Sequence, residues 1–156
     1  NIMRGLAVRN NKGFAKKKEK KDKGKRVKET VNAESYKTKE PMWRFKRCDT
    51  FHEKWSVKNC CNINEEMLDK LISFEGLCWI DIERQTHDKG KSSNHFVDVS
   101  NLCKEAQGRL KELKIYDDEL FSLRLSNKER LYGLLENGVF QILWYDKNHE
   151  IYPTAR

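Results

Sequence analysis

Leu120-Phe121-Ser122-Leu123-Arg124-Leu125, Ser126-Asn127-Lys128, Glu129-Arg130-Leu131-Tyr132-Gly133-Leu134-Leu135, Glu136-Asn137-Gly138 and Val139-Phe140-Gln141-Ile142-Leu143-Trp144-Tyr145 follow one another without a gap. The three longer pieces alternate strongly and carry the β-branched, aromatic and leucine side chains of strands; the two short ones are turns, and Asn-Gly is a strong hairpin signal. Linkers this short make the strands sequential antiparallel neighbours, a meander. The preceding helices are expected to cover one of its faces. The fold class read here is α+β, with helices packed on a small antiparallel sheet.

Upstream of the meander, Ser100 is expected to cap a helix whose buried face carries Leu102, Cys103, Ala106, Leu110 and Leu113. Further back, Asn62 stands before Glu65 and Glu66 as an N-cap with acids in the first turn. Met67, Leu68, Leu71 and Ile72 then give an apolar stripe, and Gly76 ends the helix. Between these helices, Cys78 to Ile82 reads equally as a strand or a helix opening, and Gln85 to Asn94 reads as a polar loop. Met42 to Cys48 alternates apolar with basic residues after Pro41, a strand pattern in which Met42, Trp43 and Phe45 compete for the inner side.

Before Pro41 the character changes. Residues 1–40 hold 14 Lys and Arg against 5 Asp and Glu, whereas the remaining chain holds 18 against 19, so the entire positive excess lies in the first quarter. We read residues 1–40 as a basic, largely flexible arm and 41–156 as the domain. The low hydrophobic fraction of 37% agrees with a segment that cannot bury enough surface to offset its ordering entropy. Lys16, Lys17, Lys18, Lys20, Lys21, Lys23, Lys25, Arg26 and Lys28 form the densest run. Clustered lysines release counterions from phosphates, so nucleic acid is the expected partner; a solvated tail is the plain alternative. An anionic membrane would also attract them, but the run has no apolar stripe, and no stretch approaches the ~18 apolar residues of a membrane span. No signal-peptide pattern is present, and the five cysteines are odd in number and irregularly spaced, so the expected setting is cytoplasmic with reduced thiols.

The residues suited to chemistry gather around the first meander turn. Arg124, Lys128 and Arg130 flank it, and Tyr132 shares the face of Arg130 two residues away. Arginine forks grip phosphate bidentately, lysine adds a point charge, and a phenol can donate a proton or stack on a base. An exposed face with cross-strand pairs to Glu129 or Glu136 is the alternative. After the last strand, Asp146-Lys147-Asn148-His149 presents a histidine for proton transfer, or simply an Asx-type turn. The polar loop adds His87, Asp88, Lys89, Lys91, Asn94 and His95; Lys91 and His95 are further candidates for nucleic-acid contact. Neither Cys48, His52, Cys60 and Cys61 nor His87 and His95 with Asp81 and Asp98 have a ligand spacing that specifies a metal, so no metal or other cofactor is expected. A Gly-rich phosphate loop, a G-x-S-x-G elbow and an H-E-x-x-H pair are all missing, which leaves nucleotide hydrolysis and serine chemistry without support.

The stretch from Asp118 to Gly133, followed by Val139 to Tyr145, resembles the meander of RelE/ParE-superfamily toxins. It is also similar to a group of uncharacterised bacterial and phage proteins that share L-R-L-S-x-K-x-R and I-L-W-x-D-x-x-H-x-[VI]-Y-P. The toxin resemblance implies a strand, two helices and a three-stranded meander, acting as a ribosome-dependent or free messenger ribonuclease in many members and as a gyrase poison in others; RNA or the ribosome is expected as the target ahead of DNA, with an antitoxin or other protein partner. It further implies metal-independent RNA cleavage by attack of the 2′-hydroxyl on its own phosphate, for which Arg124, Lys128, Arg130, Tyr132 and His149 are the candidate catalytic residues. A departure is the insertion of about 24 residues, Gly76 to Val99, between the two helices. A non-catalytic nucleic-acid-binding or host- or phage-protein interaction module is the alternative reading of the same residues.

Overall fold

In the computed structural model, which describes residues 35–87 and 90–153, the elements run β1 (Met42–Arg44), α1 (Asp69–Glu75), α2 (Trp79–Arg84), β2 (Thr86–His87), β3 (Lys91–Ser92), β4 (His95–Asp98), α3 (Lys104–Glu112), β5 (Glu119–Arg124), β6 (Arg130–Glu136) and β7 (Val139–Asp146). The class is α+β. Five strands form one sheet in the order β1-β7-β6-β5-β4, and β2 with β3 forms a separate hairpin. The run from β4 to β7 is antiparallel throughout, and β1 adds a parallel edge against β7.

The meander closes as its turns dictate. Asn137 and Gly138 both take positive φ, 51° and 85°, the pair of values that gives a two-residue turn the twist of its flanking strands. At Tyr132 and Gly133 the β6–β7 register slips, leaving a bulge. A Cβ on Gly133 would stand 2.1 Å from the Gln141 carbonyl oxygen, so glycine is what permits the strands to approach there.

Each face of the sheet has its own core. On one, Phe121, Leu123, Leu131, Phe140 and Ile142 meet Leu71 and Phe74 of α1 and Trp79 and Ile82 of α2. On the other, Leu120, Tyr132, Leu134, Leu143 and Trp144 meet Ala106 and Leu110 of α3 and Leu102 just before it. Helices therefore cover both faces, not one as expected from the sequence. The reason is topological: β4, inserted between α2 and α3, occupies the sheet edge and carries the chain from one side to the other. Trp79 anchors the first core, with Phe121 and Phe140 packed edge-on and its indole N–H donating to the Gly138 carbonyl at 2.8 Å. Truncating such a buried indole costs about 3–5 kcal/mol.

Several local expectations need correction. The segment left open between strand and helix is helix from Trp79, with Cys78 as its N-cap residue and Trp79 and Ile82 buried one turn apart. Cys103, not Ser100, is the N-cap residue of α3; Ser100 lies in a preceding 3-10 turn over Val99–Asn101. Asn62 does cap its helix, accepting from the Glu65 amide at 3.3 Å, but a π-helical turn over Ile63–Leu68 precedes α1 and rotates Leu68 and Ile72 outward. Phe74 takes their place in the core. The polar loop from Gln85 holds the β2–β3 hairpin, and the strand after Pro41 stops at Arg44, with Trp43 turned inward and Met42 and Phe45 exposed.

Most of the segment read as a basic arm, residues 1–34, lies outside the described residues. The described part of it, 35–40, touches the domain: the Tyr36 hydroxyl donates to Glu83 at 2.6 Å, and the Trp79 amide donates to the Lys39 carbonyl at 3.0 Å. Among the described residues no helix is long and apolar enough to cross a membrane.

Candidate functional site

Strand register assembles the chemistry-bearing side chains in two adjacent rows. His95, Ser122, Tyr132 and Trp144 lie opposite one another across β4, β5, β6 and β7. Arg124, Arg130 and Asp146 form the next row, two residues along each strand and therefore on the same face. That face is the one packed against α3, so the rows run from the core of the molecule to its edge. The segment after β7 then folds back: Tyr152 sets its ring edge-on to His95, with centroids 6.3 Å apart, and His149 comes near enough to Arg130, Arg124, Asp146 and His95 to feel their charges.

The two arginines differ in what they hold. Arg130 is buried and donates through Nη1 to the carbonyls of Ser126 (2.7 Å) and Glu129 (3.0 Å), and through Nη2 to that of Asn127 (3.4 Å). It thus ties down the β5–β6 turn by its own guanidinium. Arg124 is half-buried, with Nε on the Ser126 carbonyl (3.0 Å) and Nη2 on the Asn127 side chain (2.9 Å). Neither meets a carboxylate within ion-pair distance among the described residues; of the two, the half-buried Arg124 is the one open to an anion, while Arg130 is buried and committed to the turn. Burial, and then the neighbouring Arg124 charge, lower the basicity of Arg130.

His149 sits in a tight turn built by Asp146. The buried Asp146 carboxylate accepts from the amides of Glu150 (3.0 Å) and Ile151 (2.8 Å), so it organises the turn and faces no solvent. Within that turn His149 takes φ 60°, a left-handed conformation uncommon for a residue with a Cβ. Its ring is half-buried. Burial first, then the Arg130 charge, hold its pKa below the ordinary histidine value, while Asp146 acts in the other direction. The imidazole is consequently neutral near pH 7, the form that accepts a proton.

The other sequence candidates fall in different places. Tyr132 belongs to the core: it is fully buried, its hydroxyl has no hydrogen-bond partner of good geometry, and burial raises its pKa, with Ser122 opposite it acting in the other direction. Lys128 is exposed at the turn between β5 and β6, and Lys91 is exposed on β3. His95 is half-buried; in the tautomer protonated at Nδ1 it donates to the Phe96 carbonyl at 3.0 Å, leaving Nε2 free. The run from Lys16 to Lys28 lies outside the described residues. Among those described, no group of His, Cys, Asp and Glu is arranged to hold a metal ion.

Two residues act in positions the sequence reading did not assign them: Asn94, named there only as a member of the polar loop, and Tyr152. Asn94 is buried and locks the start of β4 to its neighbours, donating to the Ile82 carbonyl (2.9 Å) and accepting from the Arg124 amide (2.8 Å). Tyr152 closes over His95. Periodicity signals neither, because both lie outside regular elements. No protein-family model, curated protein or solved structure matches this chain.

Proposed function

We propose that this chain is an RNA-directed protein in which the sheet end around Arg124, Arg130 and His149 cleaves RNA without a metal, in the manner that a RelE/ParE-like resemblance implies. The observation that carries this reading is that the half-buried His149, whose pKa burial and the Arg130 charge hold below the ordinary value, shares one end of the sheet with two guanidinium groups that meet no carboxylate within ion-pair distance among the described residues. His149 takes the proton from a ribose 2′-hydroxyl as that oxygen attacks the adjacent phosphorus; the P–O5′ bond breaks, leaving a 2′,3′-cyclic phosphate, and the protonated His149, or water, returns a proton to the departing 5′-oxygen. Arg124, and in part Arg130, stabilise the charge that develops on the phosphoryl oxygens. Lys128 supplies a mobile point charge, and the lysine-rich segment of the sequence concentrates the polyanion. Tyr132, sealed in the core, has no part in proton transfer on this account.

The test is incubation of the chain with RNA in EDTA, with and without ribosomes, comparing wild type with His149→Ala and Arg124→Ala. Products with 2′,3′-cyclic phosphate ends, lost in both variants, are the expected result. Undiminished cleavage by His149→Ala would remove the histidine from the reaction. A non-catalytic nucleic-acid-binding or protein-interaction module is the second reading, favoured by the engagement of Arg130 with three turn carbonyls. It expects retention of RNA that falls steeply with salt, and no cleavage in either setting.

A further inference from the structure

Arg124 also borders a second feature. A cleft of about 480 Å³ is lined by Lys70 of α1, by Gln85, Thr86, His87 and Ser93 from the hairpin segment, and by Arg124, with Leu125 as its apolar member. No described carboxylate lines it. The contrast with its neighbour is sharp, since the adjoining cleft, which shares Lys70 and Leu125, is lined by Glu65, Glu66, Asp69 and Glu129. Acidic side chains thus gather on one side of Lys70 and hydrogen-bond donors and cations on the other.

The donors are held in place. Lys70 Nζ sits 5.0 Å from the centre of the Phe74 ring, which positions the ammonium without neutralising it. Arg124 spends its Nε and one Nη2 hydrogen bond on the β5–β6 turn, leaving Nη1 uncommitted. The Gln85 side-chain carbonyl accepts from Asn94 at 3.3 Å, which leaves its NH2 as the free end, and the hydroxyls of Thr86 and Ser93 complete the lining. Two cations with amide and hydroxyl donors, and no carboxylate among the described lining residues, suit a multiply charged oxyanion, and the volume lies within the ~300–1,000 Å³ of small-ligand sites.

We propose that this cleft is a phosphate subsite that holds the nucleotide adjacent to the one engaged by Arg124, Arg130 and His149. The polymer part rests on the RNA reading above; the anion part does not. Arg124, at the end of β5, is the shared element: it lies in the row of Arg130 on the α3 side and also borders the cleft, whose Lys70 comes from the α1 side, so a sugar-phosphate backbone engaging both sites passes around the end of β5.

Two measurements on the full chain test this and separate it from the RNA reading. In the first, inorganic phosphate is titrated and amide shifts are followed by NMR; saturable shifts at Thr86, His87 and Ser93 are expected, and their absence at tens of millimolar phosphate overturns the proposal whether or not RNA is a substrate. In the second, binding of a labelled octauridylate is measured across salt concentrations for wild type, Lys70→Gln and, as a control on α3, Lys111→Gln. Loss of one phosphate contact in Lys70→Gln weakens binding about three- to tenfold and makes the log–log salt slope shallower by about 0.7, with Lys111→Gln unchanged. Equal slopes for wild type and Lys70→Gln, or equal losses in both variants, overturn the subsite. Saturable phosphate shifts without octauridylate binding would keep the anion cleft and refute the RNA reading and the nucleotide assignment with it.

Discussion

Asp49 and Arg109 form a bidentate ion pair across 60 positions of sequence, Nε to Oδ2 and Nη2 to Oδ1 both at 2.8 Å, and the Trp144 indole adds a third donor to the same carboxylate at 3.1 Å. Asp49 is buried, and the pair joins the segment after β1 to α3 and to β7. The Arg109 hydrogen bond, opposed by burial and assisted by Trp144, holds the Asp49 pKa at about 2. Because the folded pKa lies below the unfolded value near 3.9, this stabilisation is complete above about pH 4 and is lost as pH falls toward 2. Asp49→Asn removes the buried carboxylate and leaves Arg109 only its more exposed ion pair with Glu112 at 2.8 Å, and is expected to lower stability by about 2–3 kcal/mol at pH 7. Chemical denaturation followed by circular dichroism should show this gap shrinking between pH 4 and 2. A gap independent of pH would mean that the pair contributes no linkage.

Arg130 and Arg124 should separate when each is replaced. Arg130 is buried with three carbonyl acceptors, so Arg130→Ala strips the β5–β6 turn of its tie and is expected to cost about 2–3 kcal/mol. Arg124 is half-buried and bonds the turn at two points, so Arg124→Ala should cost about 1 kcal/mol or less. In the RNA assays Arg124→Ala is therefore the cleaner probe of phosphate contact. Thermal denaturation of both variants checks the order; equal stabilities would mean that the carbonyl contacts of Arg130 are not what holds the turn.

Tyr132→Phe removes a hydroxyl that is buried without a well-aligned partner. Deleting an unsatisfied polar atom while keeping the ring is expected to leave stability unchanged or raise it by up to about 1 kcal/mol, and to leave RNA binding and cleavage at the wild-type level. A fall of tenfold or more in cleavage, with the fold intact, would return the phenol to the reaction.

The meander was legible because three signals agreed: period-two alternation, linkers of three residues, and Asn137-Gly138 at the one place that needs two positive φ values. The pairing of Arg124 with Arg130 follows from the same turn length. What those two arginines bond was not legible, since their acceptors are main-chain carbonyls whose directions exist only once the turn has formed. The burial of Tyr132 was hidden for a related reason. Alternation assigns it a face together with Arg130, but only the placement of α3 and of the segment after β7 decides where along that face the core ends. Cys78 to Ile82 stayed ambiguous because a helix of six residues shows just one i, i+3 repeat, Trp79 to Ile82.

His149 offers the sharpest test, because one residue links backbone strain, ionisation and the proposed chemistry. Its φ of 60° suits asparagine and glycine better than a residue with a bulky ring, so His149→Asn keeps the turn that Asp146 builds while removing the imidazole. Its folded pKa lies below the unfolded value near 6.5, so the unfolded chain takes up a proton that the native chain refuses. Stability should therefore be greatest above pH 6.5 and decline as pH falls from there through the folded pKa, and His149→Asn should flatten that decline. Cleavage that depends on the neutral imidazole should fall over the same range, with an apparent midpoint below 6.5 that matches the ring-proton titration of His149 followed by NMR. A titration midpoint above 6.5 would show that Arg130 and burial do not govern this histidine, and with it would go the neutral base on which the RNA-cleavage reading depends.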